Sequence, residues 1–178
     1  MKTFTYALLF FLLLFTACTA PHEKVSVDYT TYVNPFIGTD FTGNTYPGAQ
    51  APFGMVQLSP DNGLPGWDRI SGYFYPDSTI AGFSHTHLSG TGAGDLYDIS
   101  FMPVTLPYKE AEAPLGIHSR FSHDDESATA GYYQVLLKDY NINVELTATE
   151  RCGIQRYTFP EAQAAIFLNL KKAMNWDF

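Results

Sequence analysis

The feature that most constrains this fold is a strict alternation of apolar and polar side chains in the second half of the chain. The apolar positions are Tyr133, Val135 and Leu137, followed, after a turn at Asp139-Tyr140-Asn141, by Val144, Leu146 and Ala148. Successive side chains of a β-strand point to opposite faces, so this pattern predicts two half-buried strands joined as a hairpin. No capped amphipathic helix longer than about two turns is visible anywhere in the sequence.

Similar strand-like segments recur along the chain between Gly- and Pro-containing turns. They lie at 55–58, 72–75, 80–87, 98–106, 153–159 and 164–170. Composition agrees, because 14 Phe and 12 Tyr alongside 14 Gly and 11 Pro suit short strands joined by tight turns. Pro103 predicts an edge or a bulge in its strand. The regular spacing predicts an all-β fold, an antiparallel β-sandwich.

The first residues have the pattern of an export signal. Lys2 precedes an apolar run at 7–15, which is shorter than the roughly 20 residues that a membrane-spanning helix needs. Small residues stand directly before Cys18, and this resembles a bacterial lipobox, although an ordinary secretory signal with an incidental cysteine is the alternative. We expect a signal peptide at 1–17, a lipidated Cys18 with its tether at 18–31, and membrane anchoring through the lipid. The expected location is the outer membrane, on its periplasmic or cell-surface face.

Charge and cysteine content narrow the function classes. The net charge of −8 argues against nucleic acid as a partner, because phosphates require a basic surface. Once Cys18 is acylated, Cys152 has no second cysteine with which to form a disulfide. Its alternating apolar surroundings predict a buried structural thiol.

Trp67 and Asp68 form a pair with a definite chemical use. An indole packs on the apolar face of a sugar ring, and a carboxylate accepts hydrogen bonds from its hydroxyls. A half-buried tryptophan beside a turn aspartate explains the same two residues equally well. The two therefore indicate a candidate carbohydrate contact without establishing one.

His85 and His87 stand two residues apart, so on a strand both rings would project from one face. Such a pair can bind a metal, but a zinc site needs a third or fourth ligand. The candidates for it are Asp95, His118 and His123, which spacing alone does not place. Packing or hydrogen bonding is the more common explanation of such a pair.

Other motifs with catalytic associations do not fit. The glycines of the loop at 90–94 lack the spacing of a dinucleotide fingerprint, and no Gly-Lys-Ser/Thr of a phosphate loop is present. No Gly-x-Ser-x-Gly elbow suggests a nucleophile. Glycosidases use two spaced carboxylates, and 18 acidic residues do not reveal which two, while the run at 124–126 reads as a solvated loop. From the residues alone, the chain is an exported β-sandwich with a polar-aromatic pocket.

Long, unusual strings nevertheless resemble one family, glycoside hydrolase family 92. They are YVNPFIGT at 32–39, YPGA at 46–49, PFGMVQLSPD at 52–61, SGY at 71–73, GFSHTHLSGTG at 82–92, ESAT and the residues to Tyr133 at 126–133, ELTATER at 145–151 and RYTFP at 156–160. The resemblance covers nearly everything after Tyr32. It implies that residues 32–178 are the N-terminal β-sandwich domain of such an enzyme.

The resemblance also implies an activity. Members of that family are calcium-dependent, inverting exo-α-mannosidases that act on N-glycans or yeast mannans, and their site lies between the sandwich and a C-terminal (α/α)₆ barrel. The catalytic acid, the catalytic base and most calcium ligands belong to the barrel, so no catalytic residue and no calcium are expected in this chain. The positions expected to bind substrate are Trp67, Asp68, His85 and His87.

Two functions therefore follow as expectations. In the first, this chain is a truncated sandwich domain, inactive alone, because the sequence stops at Phe178 soon after a core-like strand. Its partners would be mannose-containing glycans and the barrel of the same enzyme. In the second, it is a non-catalytic carbohydrate-binding lipoprotein that uses the same pocket without hydrolysis.

Overall fold

The computed structural model describes residues 27–90, 96–108, 116–161 and 163–170. The predicted signal peptide, Cys18, residues 91–94 of the glycine loop and Asp95 lie outside the described residues. Within those ranges, no helix is both long and apolar enough to cross a membrane.

The described residues form short strands and 3₁₀ turns. The strands are β1 (Ala49–Gln50), β2 (Gln57–Asp61), β3 (Thr79–Ile80), β4 (Gly82–Ser84), β5 (Ser100–Thr105), β6 (Ser119–Arg120), β7 (Glu126–Thr129), β8 (Tyr132–Leu137), β9 (Ile142–Ala148), β10 (Gly153–Thr158) and β11 (Ala164–Asn169). The 3₁₀ turns are η1 (Tyr29–Tyr32), η2 (Trp67–Arg69) and η3 (His123–Asp125). The predicted all-β class is confirmed.

The strands pair antiparallel in two main sheets. One has the order β1-β2-β4-β5-β11 and the other the order β10-β9-β8-β7, while β3 and β6 pair separately. Side chains from both sheets join one hydrophobic core. This is the predicted antiparallel β-sandwich.

The β8–β9 hairpin supplies the centre of that core. Tyr133 pairs with Leu146 and Val135 with Val144, and these four side chains are at most 1% exposed. Intervening residues such as Gln134 are only partly buried. The alternation in the sequence thus gave the face of each strand correctly, and burial of these side chains contributes roughly 1.5–3 kcal/mol each.

Four local expectations were wrong. Residues 72–75 form no strand, and the segment at 80–87 divides into β3 and β4, with β4 ending at Ser84. Pro103 lies in an interior strand rather than at an edge, but β4 pairs with β5 only at Phe101, so the proline lies where that ladder has ended. Cys152 is exposed, because it lies in the turn between β9 and β10 and not on the buried face of a strand.

Candidate carbohydrate-binding site

The segment that carries Trp67 and Asp68 is the short turn η2. Gly66 precedes it as the N-cap, with a φ of 151°, a backbone conformation that residues other than glycine rarely adopt. Trp67 is 51% exposed, and Asp68 is also exposed. Both side chains are therefore accessible to a ligand from solvent.

Arg69 anchors this segment from its inner side. Its Nε and Nη2 donate to the two carboxylate oxygens of Asp77 at 2.6 and 2.5 Å. The Asp77 side chain is only 7% exposed, and the guanidinium carbon lies 4.7 Å from the centroid of the Phe74 ring. The hydrogen bonds to Asp77 raise the pKa of Arg69 above its ordinary value. A bidentate pair of this kind fixes orientation as well as distance, so η2 is held rigidly.

His87 is buried and fully engaged within the protein. Its Nδ1 donates to the carbonyl of Gln57 at 2.7 Å, while Nε2 lies 2.7 Å from Asp61 Oδ1 and 3.1 Å from Ser84 Oγ. Ser84 and Asp61 share one ring nitrogen, whereas a serine-histidine-aspartate triad places them at opposite nitrogens. This group is therefore structural and not a nucleophile.

The His87–Asp61 pair supports the chain that follows η2. A Cβ at Gly72 would lie 2.7 Å from Asp61 Oδ1 and 3.0 Å from His87 Cδ2, so only glycine fits against the pair. Tyr97 also donates its hydroxyl hydrogen to the carbonyl of Ile70. The predicted site residue His87 thus lies beneath the Trp67 segment and not at the solvent surface.

His85 is placed differently from His87. Because β4 ends at Ser84, the two rings do not share a strand face as the spacing had suggested. His85 is half-buried, donates from Nδ1 to the carbonyl of Ile99 at 3.2 Å, and packs its ring edge-on against Phe101. The structure therefore separates the predicted pair.

The metal hypothesis finds no support in the described residues. His118 donates to the carbonyl of Gly116 at 3.0 Å, and His123 is bound to Glu126. Among the residues that the structure describes, no group of three or more His, Cys, Asp or Glu side chains could hold a metal ion. The described residues by themselves do not form a calcium site.

A buried carboxylate, Glu126, organises a cluster that the sequence did not reveal. The hydroxyls of Tyr73 and Tyr133 donate to its two oxygens at 2.9 and 2.6 Å. His123 Nδ1 lies 2.7 Å from Oε2, and His123 Nε2 donates to the carbonyl of Tyr75 at 2.7 Å. The Glu126 side chain is 1% exposed, so these contacts replace water around its charge.

The cluster changes the ionisation of its tyrosines. The pKa values of Tyr73 and Tyr133 are raised above the ordinary tyrosine value. Burial is the larger cause, and the neighbouring Glu126 charge is the smaller one. Glu126 follows two exposed aspartates, and for that reason the acidic run had suggested a solvated loop. The available signal was the alternation of β7 and β8, which brings Glu126 opposite Val135.

Comparison with known proteins places the chain among glycosidases. The family model described as "Glycosyl hydrolase family 92 N-terminal domain" matches residues 32–178. A secreted glycosidase of Arthroderma benhamiae, whose activity is uncharacterised, is 28% identical over 144 residues, which are 77% of this chain and 18% of that protein.

Solved structures agree with the family match. The family 92 α-mannosidase of Bacteroides thetaiotaomicron, solved alone and in complex with mannoimidazole, is 48% identical with a TM-score of 0.74. In the complex, the match covers 79% of this chain and 19% of that one. An inverting family 92 mannosidase of the same species is 31% identical with a TM-score of 0.66, over 82% of this chain and 20% of that one. The chain thus spans about a fifth of the length of these relatives.

Proposed function

Because this chain belongs to glycoside hydrolase family 92, we propose that it is the N-terminal domain of an exported α-mannosidase. Its sandwich contributes mannoside contacts to a site that a C-terminal (α/α)₆ barrel completes. The observation that carries this proposal is the exposed Trp67–Asp68 pair on a turn fixed by the Arg69–Asp77 ion pair. An accessible aromatic face beside an accessible carboxylate, held rigidly, is suited to binding a sugar ring.

Each of the predicted binding residues has a distinct part in this proposal. Trp67 packs on the apolar face of the mannose ring, and Asp68 accepts hydrogen bonds from its hydroxyls. His87 positions the η2 segment through Asp61 and does not contact sugar. His85, which is half-buried and packs against Phe101, contacts substrate only through its exposed edge.

The catalytic groups are assigned to the barrel. An inverting glycosidase needs two carboxyl groups about 6.5–9.5 Å apart with a water between them. Three carboxylates are buried among the described residues, Glu126, Asp61 and Asp77, and each already accepts a hydrogen bond from a protein side chain, so none of them is suited to activate water. In the complete enzyme, this chain's residues would orient the sugar ring and exclude water.

Export and anchoring belong to the same proposal. Lys2, the apolar run at 7–15 and the small residues before Cys18 support a signal peptide followed by lipidation. The relative from Arthroderma benhamiae is itself described as secreted. We therefore assign the mature protein to the outer membrane, where an exposed mannosidase meets mannose-containing glycans.

The test is Trp67→Ala in a version that carries the barrel. We expect kcat/KM on an α-linked mannobiose to fall about 5- to 150-fold, the equivalent of roughly 1–3 kcal/mol, because the sugar loses its aromatic face. The melting temperature should stay unchanged, since half of the indole is exposed. Tyr29→Ala, which removes another exposed ring, is the matched control. Normal turnover by the Trp67 variant would contradict the proposed contact.

The 178-residue chain alone provides a second test. It should release no mannose from an aryl α-mannoside, with or without calcium, because its buried carboxylates are engaged within the protein. Release above a buffer control, lost on denaturation, would contradict the assignment of catalysis to the barrel. A chain that binds mannosides but never supports hydrolysis when joined to a barrel would instead be a carbohydrate-binding module.

A further inference from the structure

A cleft lies on the sandwich beside the Glu126 cluster and does not include Trp67 or Asp68. Its volume is about 310 Å³, and its lining residues are Asn34, Phe36, Thr39, Asp40, Tyr75, His123 and Glu126. Small-molecule sites have volumes of about 300–1,000 Å³, so this cleft suits a ligand as small as one sugar ring. Nothing in the activity proposed above uses it.

One wall of the cleft is aromatic and rigid. The Tyr75 ring, 38% exposed, stacks on the His123 imidazole with centroids 3.9 Å apart and planes 6° apart. The Phe36 ring meets Tyr75 edge-on at 6.0 Å. His123 is in turn fixed by Glu126 and by the carbonyl of Tyr75. Because this wall is already ordered, a ligand that packs on it loses little binding energy to ordering side chains.

Two polar side chains that line the cleft are also oriented. Asn34 Oδ1 accepts from the Phe36 amide at 3.0 Å, and Asp40 Oδ1 accepts from the Phe41 amide at 2.6 Å. Each side chain thus uses one oxygen to fix its own position. Asn34 Nδ2 remains as a donor and Asp40 Oδ2 as an acceptor, neither with a hydrogen-bond partner among the described residues.

We propose that this cleft is a second carbohydrate site, which binds a mannopyranoside ring separately from the Trp67 surface. An aromatic wall with one amide donor and one carboxylate acceptor matches a sugar, which has an apolar face and hydroxyls that both donate and accept. Asp40 and the net charge of −8 disfavour an anion. A metal ion is disfavoured because both His123 nitrogens are already engaged, one with Glu126 and the other with the carbonyl of Tyr75, so the imidazole offers it no free ligand atom.

The choice of mannose rests on the proposed function, but the cleft does not depend on hydrolysis. The test is an NMR titration of the purified chain with methyl α-mannopyranoside, in which the backbone amide chemical shifts are monitored. We expect saturable shifts at Asn34, Thr39 and Asp40, with a dissociation constant in the millimolar range. Asp40→Asn and Asn34→Asp each keep the oxygen that caps the loop and change the group offered to sugar. Each should weaken binding about tenfold.

Trp67→Ala is the matched control and should leave the cleft shifts and their dissociation constant unchanged. Unliganded spectra of the variants show whether each one is folded. The inference is overturned if the cleft amides do not shift, or if both cleft variants bind with wild-type affinity. Shifts confined to the surroundings of Trp67 would overturn it while leaving the proposed function intact, since that function is tested separately by turnover.

Discussion

The interior of this domain and its η2 surface use polar side chains in opposite ways. Inside, Glu126 and Asp61 accept hydrogen bonds from tyrosine and histidine side chains that are themselves buried or half-buried. At the surface, Trp67 and Asp68 extend into solvent from a turn of only three residues. The buried carboxylates and histidines thus stabilise the fold, whereas Trp67 and Asp68 are accessible to a ligand.

The strongest way to test this contrast is to remove the acceptor at the centre of the interior cluster. Glu126→Ala leaves the hydroxyls of Tyr73 and Tyr133 and the Nδ1 of His123 without their acceptor. Breaking a buried charged pair in this way costs about 3–5 kcal/mol of the free energy of unfolding, a large part of the total for a domain. We expect a correspondingly lower midpoint in urea at pH 7.

The neighbouring Asp124→Ala is the control for that experiment. Asp124 is exposed, so its removal should change the midpoint little. Glu126→Gln keeps one acceptor oxygen and should lie between wild type and Glu126→Ala. A Glu126→Ala variant as stable as the wild type would show that the cluster does not support the fold.

Sequence reasoning gave the sandwich but not the depth of its polar residues. The β8–β9 hairpin was predictable because its alternation is enforced by one buried face. The loops were not: 72–75 has strand-like residues, yet Gly72 is packed against Asp61 and forms a turn with φ of 87°. The burial of His87 depends on contacts with Gln57 and Asp61, which are far away in sequence, and no local pattern records them. The register of Glu126 opposite Val135 was a local signal, but the two aspartates before Glu126 obscured it.

The two histidines that the sequence treated as one pair provide a second test. His87→Ala removes the partner of Asp61, a carboxylate only 7% exposed whose Oδ2 has no hydrogen-bond partner in the described structure. We expect a loss of about 2–4 kcal/mol in the free energy of unfolding. His85→Ala loses one hydrogen bond to a carbonyl and should cost only about 0.5–1.5 kcal/mol.

Thermal melts and mannobiose kinetics on the barrel-containing protein separate the roles of these histidines. A positioning role for His87 predicts that activity and melting temperature fall together, and that Trp67→Ala changes activity alone. Loss of activity by the His87 variant at an unchanged melting temperature would place His87 in contact with substrate and contradict our assignment.

The smallest expected effect concerns a carboxylate at the surface of the same sheet that contains Glu126. Glu145 on β9 faces Arg156 on β10, whose Nε donates to it at 2.6 Å, and the Tyr132 hydroxyl donates to it at 2.6 Å. Hydrogen bonds lower the pKa of Glu145 to about 2, and the bond from Arg156 contributes more than the bond from Tyr132. Since the Arg156 side chain is 71% exposed and solvent screens its charge, the contribution of the pair to stability should be small.

The pH dependence of this small contribution distinguishes it from the interior cluster. The pKa of Glu145 is lowered in the folded state, so its stabilisation is present above the unfolded pKa of about 4.3 and is lost as pH falls toward about 2. The stability difference between wild type and Glu145→Gln should therefore be constant from neutral pH to about pH 5, shrink below that, and decrease in high salt. Glu150→Gln, at an exposed carboxylate, should show no such difference in urea unfolding. If the Glu145 difference persisted undiminished at pH 2, the ionised pair with Arg156 would not be its source, and the outer face of the sheet would be stabilised by packing, as its interior is.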